Sequence, residues 1–403
     1  MPGRGPANLG ISTRVAAISE SATIALDRRV KELRAKGENL ISFAAGEPDF
    51  PTPEVVVEAA MRACRDPRAH HYTPPAGLPE LRQAVAMKTR RDSGLDVGPE
   101  QVQITNGTKQ AVSHAFTLLL DPGDEVLIPA PYWVTFPEAV ALAGGRAVPV
   151  PTSEANGFRV TVEELERHRS HRTKVLLFVS PSNPTGTVYR REQMEAIGRW
   201  AAEQGLWVVC DEIYDHFTYD GAEFNSLPAL VPELQPRAIC LNGVAKSYSM
   251  TGWRVGWLVA PPEVAEAAAN LQSHVAGNIS NVSQLAALAA LEAGLGPVLE
   301  MRSAFASRRR AMLQQMERVP GFECPAPDGA FYLFPSVDGV MGRQVAGQTV
   351  TSSAQLATIL LEEAQIAVVP GEAFGAPGHL RFSYALGDAD LEEGMDRLLR
   401  LLS

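Results

Sequence analysis

Residues 241–256 read L-N-G-V-A-K-S-Y-S-M-T-G-W-R-V-G. Lys246 follows the apolar run Ala238 to Leu241 and reads as part of a loop of small residues, among Gly243, Ala245 and Ser247, with Arg254 further along. A lysine in such small surroundings is poorly placed as a solvated charge and well placed as a reacting amine, which forms a Schiff base with a carbonyl. Arg254 offers a planar fork suited to binding a phosphate in bidentate fashion. Taken alone, the two residues also read as a solvated lysine and an ordinary surface arginine.

The run before Lys246 is one of a series. Gln101 to Thr105 is a strand, and Asn106-Gly107-Thr108-Lys109 then opens a helix to Leu120. Glu125 to Ile128 ends in Pro129-Ala130-Pro131-Tyr132-Trp133, and Lys174 to Val179 ends in Ser180-Pro181-Ser182-Asn183-Pro184-Thr185-Gly186. Leu206 to Cys210 ends in Asp211-Glu212-Ile213-Tyr214, and Gly256 to Ala260 closes the series. V-L-L-F-V and L-W-V-V-C are apolar throughout, as strands covered on both faces are. Strands alternating with helices predict a largely parallel sheet with helices on both sides. Ligands gather at the carboxyl ends of such strands. There stand Thr108, Trp133, Asn183, Asp211, Tyr214 and Lys246.

Upstream, Ser21 to Lys36 is a helical pattern closed by Gly37, and Leu40 to Phe43 a short strand. Gly46-Glu47-Pro48-Asp49-Phe50 reads as a hinge or a loop approaching a ligand. A helix begins near Pro53, and Tyr72-Thr73-Pro74-Pro75-Ala76-Gly77 is a rigid loop. The helix Pro79 to Arg91 carries apolar residues at Leu81, Val85 and Met87. Past Glu292 the pattern becomes α+β: a long helix Pro297 to Arg318, a strand Ala330 to Phe334, and a helix to Ala364 that Ser352 and Gln355 box at its start. A strand His379 to Tyr384 containing Arg381 and a final helix Asp388 to Leu402 complete it.

With 403 residues, 45% hydrophobic and 20% charged, the chain has the composition of a globular protein long enough for two domains. Its net charge of −10 argues against nucleic-acid and anionic-membrane partners. Cys64, Cys210, Cys240 and Cys324 are scattered without metal-ligand spacing, and Cys210 and Cys240 read as buried small hydrophobes. A reducing compartment follows. The Gly/Pro-rich start lacks the apolar stretch of a signal peptide and no run reaches membrane-spanning length, so a cytoplasmic protein is expected.

Several stretches, in order, resemble one family: A-G-E-P-D-F-P-T-P, Y-T-P-P-A-G-L-P-E-L-R, N-G-T-K-Q-A, D-P-G-D-E-V, P-Y-W-V, S-P-S-N-P-T-G, D-E-I-Y, N-G-V-A-K-S-Y-S-M-T-G-W-R-V-G and H-L-R-F-S-Y-A. They run from near residue 11 to the C-terminus and resemble the class I aminotransferases of pyridoxal-phosphate fold type I, those of the bacterial aspartate aminotransferases most closely. The resemblance implies an α/β fold type I architecture: a large domain with a mostly parallel seven-stranded sheet flanked by helices, plus a smaller α+β domain. Residues 50–292 would form the large cofactor-binding domain, 293–403 the small one, and 1–49 an N-terminal segment joining the small domain.

The resemblance also assigns roles. Lys246 would hold pyridoxal 5′-phosphate as a Schiff base and then act as the proton-moving base. Asp211 would pair with the pyridinium nitrogen, Asn183 and Tyr214 would hydrogen-bond the phenolic oxygen, and Trp133 would stack on the ring. Gly107, Thr108 and Arg254 would hold the phosphate, joined by Tyr72 of the partner subunit in a homodimer with a shared site. Arg381 would grip the substrate α-carboxylate, near Asn183, Trp133 and Gly46, and Lys109 the side-chain carboxylate. Two positions depart from the pattern: Gly243 stands where many relatives carry Ser or Thr, and Thr108 where many carry Gly. Ser19 and Glu20 align where prephenate-accepting members carry a lysine, which disfavours that activity; if it faces the pocket, Glu20 would discourage dicarboxylates.

The implied reaction is L-aspartate with 2-oxoglutarate to oxaloacetate and L-glutamate by a ping-pong mechanism. The alternatives are an aromatic or specialised aminotransferase, a β-elimination lyase on the same fold, and a ligand sensor. The last is disfavoured by the presence of Lys246 and by the lack of a basic helix-turn-helix segment before residue 11.

Overall fold

The computed structural model describes residues 10–403, and the Gly/Pro-rich start of the chain lies outside them. Its centre is a seven-stranded sheet. In chain order the strands are β1 (Val102–Thr105), β2 (Glu125–Ala130), β3 (Arg146–Pro151), β4 (Thr173–Val179), β5 (Trp207–Asp211), β6 (Ala238–Gly243) and β7 (Gly256–Val259). In space they run β1-β7-β6-β5-β4-β2-β3. Only β7 is antiparallel to its neighbours, β1 and β6; the other pairs are parallel.

The continuous apolar character of the inner strands follows from their having no wet face. Along β4, Leu176 and Phe178 join a core with Leu127, Val208 and Cys210, while Val175 and Leu177 join a second with Val126, Ile128, Val209 and Ile239. All four β4 side chains are at most 2% exposed. Each contributes on the order of 1.5–3 kcal/mol by leaving water. The strand β3, R-A-V-P-V-P, is absent from the runs read in the sequence. It lies at the sheet edge, where Pro149 and Pro151 cost no central ladder bonds, and within it only Val150 is fully buried.

A second layer is built from both chain ends. Ile41–Ser42 pairs in parallel with Ile366–Ala367, and Tyr332–Leu333, Leu380–Ser383 and Val369–Pro370 form an antiparallel sheet. Ile41 and Phe43 share its core with Phe305 and Met312 of the helix Gly296–Met316 and with Met395 and Leu398 of the helix Asp388–Leu402. Among the described residues no single helix is long and apolar enough to cross a membrane. Only the pair Asn281–Glu292 and Gly296–Met316, bent by 78° at its break, reaches that composition together.

Three local expectations are corrected. Met87 is 64% exposed, because the inward face of the helix Pro79–Ser93 runs Leu81, Val85, Lys88. Lys246 sits in a helical turn, Val244–Ser247, in place of an open loop. The Ser352 hydroxyl does accept from the Gln355 N–H at 3.1 Å, but Gln355 Oε1 takes the N–H of Thr351, one residue before the cap.

Candidate active site

A cavity of about 390 Å³ opens where the parallel strands end. Gly46, Thr108, Lys109, Trp133, Asn183, Asp211, Tyr214, Lys246, Arg254 and Arg381 all line it. These residues lie far apart in sequence; strand ends and the second layer bring them together. Gly107 lies just behind the wall, under Arg254. Tyr72 is not on the lining of this single chain and is 97% exposed.

The lining carries four cations, Lys109, Lys246, Arg254 and Arg381, against two acids, Glu47 and Asp211. A surplus of positive charge within a chain of net charge −10 marks an anion-binding cavity.

The Lys246 ammonium donates to the Gly46 carbonyl and pairs with no carboxylate among the described residues. Burial pushes its pKa down to about 8; the fields of Arg381 and Arg254 act the same way, against Glu47 and Asp211. Asp211 ends β5 and is 4% exposed; its Oδ1 accepts the N–H of Ile213 at 3.1 Å. Burial raises its carboxyl to about 6, partly offset by that hydrogen bond and by Lys246. Burial thus brings both pKa values close to neutral pH, against the opposing charges nearby.

Arg381 is 1% exposed. Its Nη1 donates to Asn183 Oδ1 at 2.9 Å and its Nη2 to the Ala44 carbonyl at 2.7 Å, while Nε has no partner. The guanidinium lies over the rings of Tyr332, at 4.5 Å, and Phe374, at 5.1 Å. No carboxylate among the described residues pairs with it. A buried cation without a counter-charge is costly unless a ligand supplies one. Lys109, which is exposed, likewise pairs with no carboxylate among the described residues: its ammonium lies 4.9 Å from the Trp133 ring, and partial burial followed by repulsion from Arg254 lowers its pKa.

The phosphate-sized end of the cavity is built from backbone. Gly107 has φ +75° and caps the helix Thr108–Leu119, and a Cβ there would run into the Arg254 guanidinium. Arg254, itself left-handed at φ 58°, is held by the Thr251 carbonyl at 2.9 Å and the Asn106 carbonyl at 3.2 Å. The two departures noted in the sequence meet here. A Cβ on Gly243 would lie 2.9 Å from Thr108 Oγ1, whose hydroxyl bonds the Asn242 carbonyl at 3.1 Å. Thr108 and a larger residue at 243 would compete for one space.

The model of the family "Aminotransferase class I and II" matches residues 38–398. The aspartate aminotransferase of Streptomyces avermitilis is 57% identical over 99% of this chain and 98% of its own. The chain belongs to the class I and II aminotransferases. Among solved structures, the aspartate aminotransferase from Rhizobium meliloti superposes with a TM-score of 0.93 at 35% identity over 99% of both chains. That of Thermus thermophilus with maleate gives 0.91 at 41% identity, covering 98% of this chain and 100% of its own.

Aminotransferases of this type use pyridoxal phosphate, and the site of this aminotransferase suits it. A free amine, a buried carboxylate lacking a cation, an Asn–Tyr pair, an aromatic face and a helix N-terminus under an arginine meet the five parts of that cofactor.

Glu20 does not line the cavity: it pairs with Arg28 at 2.8 Å on the surface, so the expected discouragement of dicarboxylates has no basis. Two features escaped the sequence reading. Tyr332, whose hydroxyl lies 2.8 Å from that of Tyr214, was hidden in the apolar run A-F-Y-L-F. Lys88 forms a buried ion cluster with Asp215 and Asp92 behind the phosphate end, and no local pattern announces it.

Proposed function

We propose that this aminotransferase moves the α-amino group of L-aspartate to 2-oxoglutarate, giving oxaloacetate and L-glutamate in a ping-pong cycle. One observation carries the reading: two cations without protein counter-charges, Arg381 and Lys109, line one cavity, and both substrates are dicarboxylates. Arg381 would bind the α-carboxylate in bidentate fashion and Lys109 the distal one.

With both ends of the substrate held, its Cα–H is presented to Lys246, whose amine is partly neutral near pH 8 and takes the proton from Cα. The electron sink and the carrier of the amino group are supplied by bound pyridoxal phosphate. Asp211 would hold the ring nitrogen protonated, Asn183 and Tyr214 would hydrogen-bond the phenolic oxygen, and Trp133 would cover the ring. Arg254, Thr108 and the Gly107 backbone would hold the phosphate.

The full exposure of Tyr72 supports a homodimer in which Tyr72 of the partner subunit completes the phosphate site. Residues 50–292 form the cofactor-binding domain in this reading, and 1–49 with 293–403 the smaller one. The pairing of Ile41 with Ile366 supports that division. A cytoplasmic location without nucleic-acid or membrane partners fits the net charge of −10.

The test is a half-reaction. L-aspartate, L-glutamate, L-phenylalanine and L-alanine are each added, without a 2-oxo acid, to enzyme loaded with pyridoxal phosphate. Fastest loss of the visible cofactor band with the two dicarboxylates is expected. Fastest loss with phenylalanine would move the assignment to aromatic substrates. A stable band with pyruvate released from a β-substituted amino acid would make it a lyase.

A further inference from the structure

Tyr332 lines the cavity and has been given no role so far. Its strand, Tyr332–Leu333, belongs to the second layer and pairs in register with the strand of Arg381, whereas Tyr214 follows the central strand β5. The phenol thus reaches across the boundary between the two layers. It is fully buried yet lines the cavity, and touches three functional groups at once. Its hydroxyl is 2.8 Å from that of Tyr214. Its ring lies 4.5 Å from the guanidinium carbon of Arg381. The same hydroxyl lies 3.4 Å from where a Gly46 side chain would begin, beside the carbonyl that holds Lys246.

Counting protons gives the hydroxyl a task. Burial holds both phenols above their ordinary range, so both are protonated at neutral pH. Two hydroxyls in contact carry two protons, and one lies between them. If Tyr214 donated to Tyr332, its proton would be spent inside the protein. When Tyr332 donates to Tyr214, the Tyr214 proton is free to point into the cavity. The ring has a separate task, since it forms one face of the slot that carries an otherwise unpaired guanidinium.

The geometry points to Tyr332 as a positioning residue whose hydroxyl aims the Tyr214 proton into the cavity and whose ring carries the Arg381 guanidinium. This rests on the roles proposed above for Tyr214 and Arg381. The two duties reside on different atoms, so two substitutions separate them.

The experiment uses the holoenzyme as wild type, Tyr332→Phe and Tyr332→Leu. The first readout is the pH midpoint of the visible absorption of bound pyridoxal phosphate, taken without substrate. The second is the saturation constant for L-aspartate in the half-reaction. A Tyr214 proton aimed at the phenolic oxygen favours its anion and lowers the midpoint, so losing the aim raises it. Tyr332→Phe is expected to raise the midpoint by about half a unit to one unit, the worth of one net hydrogen bond, with the aspartate constant unchanged. Tyr332→Leu is expected to give the same rise and to weaken aspartate about 5- to 30-fold through loss of the cation–π face. A Phe variant with the wild-type midpoint overturns the hydroxyl role, and equal aspartate constants in the Phe and Leu variants overturn the ring role. Tyr332→Phe removes one atom and keeps the packed ring, so the hydroxyl arm stands even if the Leu variant fails to fold. Should wild type not react with aspartate at all, the substrate assignment fails, while the midpoint still judges the hydroxyl independently.

Discussion

The ammonium of Lys88 lies 2.6 Å from Asp215 Oδ2, and both side chains are buried. The same oxygen accepts a hydrogen bond from Asn242 Nδ2 at 2.9 Å, and the Asn242 carbonyl accepts the Thr108 hydroxyl. A dry ion pair thus stands directly behind the end of β6 and the start of the helix Thr108–Leu119. Burial alone would lower the Lys88 pKa, but Asp215 and Asp92 outweigh it and hold the ammonium charged.

Removing Lys88 leaves the buried Asp215 without its ammonium, while Asp92 keeps its pair with Arg91. Lys88→Met is expected to destabilise the protein by about 3–5 kcal/mol, read from denaturant unfolding of the cofactor-free enzyme. A loss below about 1 kcal/mol would show that the cluster is solvated in solution.

Arg381→Lys keeps the charge and removes the fork. Arg381 already spends one N–H on Asn183 and one on Ala44, so its grip on a carboxylate depends on the planar shape that lysine lacks. A fall in kcat/KM of roughly 10- to 150-fold for L-aspartate is expected, with cofactor affinity unchanged. Equal loss of cofactor affinity would show that Arg381 serves the cofactor instead.

The depressed pKa of Lys246 sets a pH profile for cofactor uptake. With a pKa of about 8, the reactive neutral amine grows steeply up to pH 8, where it is half the population, and at most doubles above it. The rate at which cofactor-free enzyme takes up pyridoxal phosphate is expected to be half-maximal near pH 8 and to level off by about pH 9. A climb continuing to pH 10 would mean an ordinary, solvated lysine.

Asp211 has the opposite linkage. Its folded pKa, about 6, is raised above the ordinary value of 3.8, so the folded state binds the proton more tightly. The stability this contributes is complete below the unfolded pKa and is lost as pH rises through 6. Asp211→Asn is expected to flatten the pH dependence of cofactor-free unfolding between pH 4 and 6, and to stabilise that form at pH 7 by up to about 3 kcal/mol. The holoenzyme should lose most of its kcat, because asparagine cannot keep the ring nitrogen protonated. Unfolding that keeps its slope would place the titration on another group.

How much the sequence alone discloses depends on whether a residue's surroundings are local. The inner strands are legible because V-L-L-F-V and L-W-V-V-C need no partner to declare both faces dry. Asp211 is legible because it follows such a run directly, and Asn183 and Lys246 because each lies in the turn that follows one. β3 is not, since its prolines mimic a loop and only its edge position excuses them. Lys88 is not legible because the acid that draws it inward in place of Met87, Asp215, is remote in sequence. Tyr332 reads as one more aromatic in a core strand; its hydroxyl gains meaning only from Tyr214 across the layer boundary.

The cation surplus of the cavity has a practical consequence for handling the enzyme. When no substrate is present, dissolved anions are drawn to Arg381 and Lys109. Sulfate, phosphate and chloride in a buffer are then rivals for the substrate's seats, and sulfate or phosphate also competes for the place beside Arg254. Apparent KM values will depend on which salt sets the ionic strength, and large zwitterionic buffers will give the truest constants.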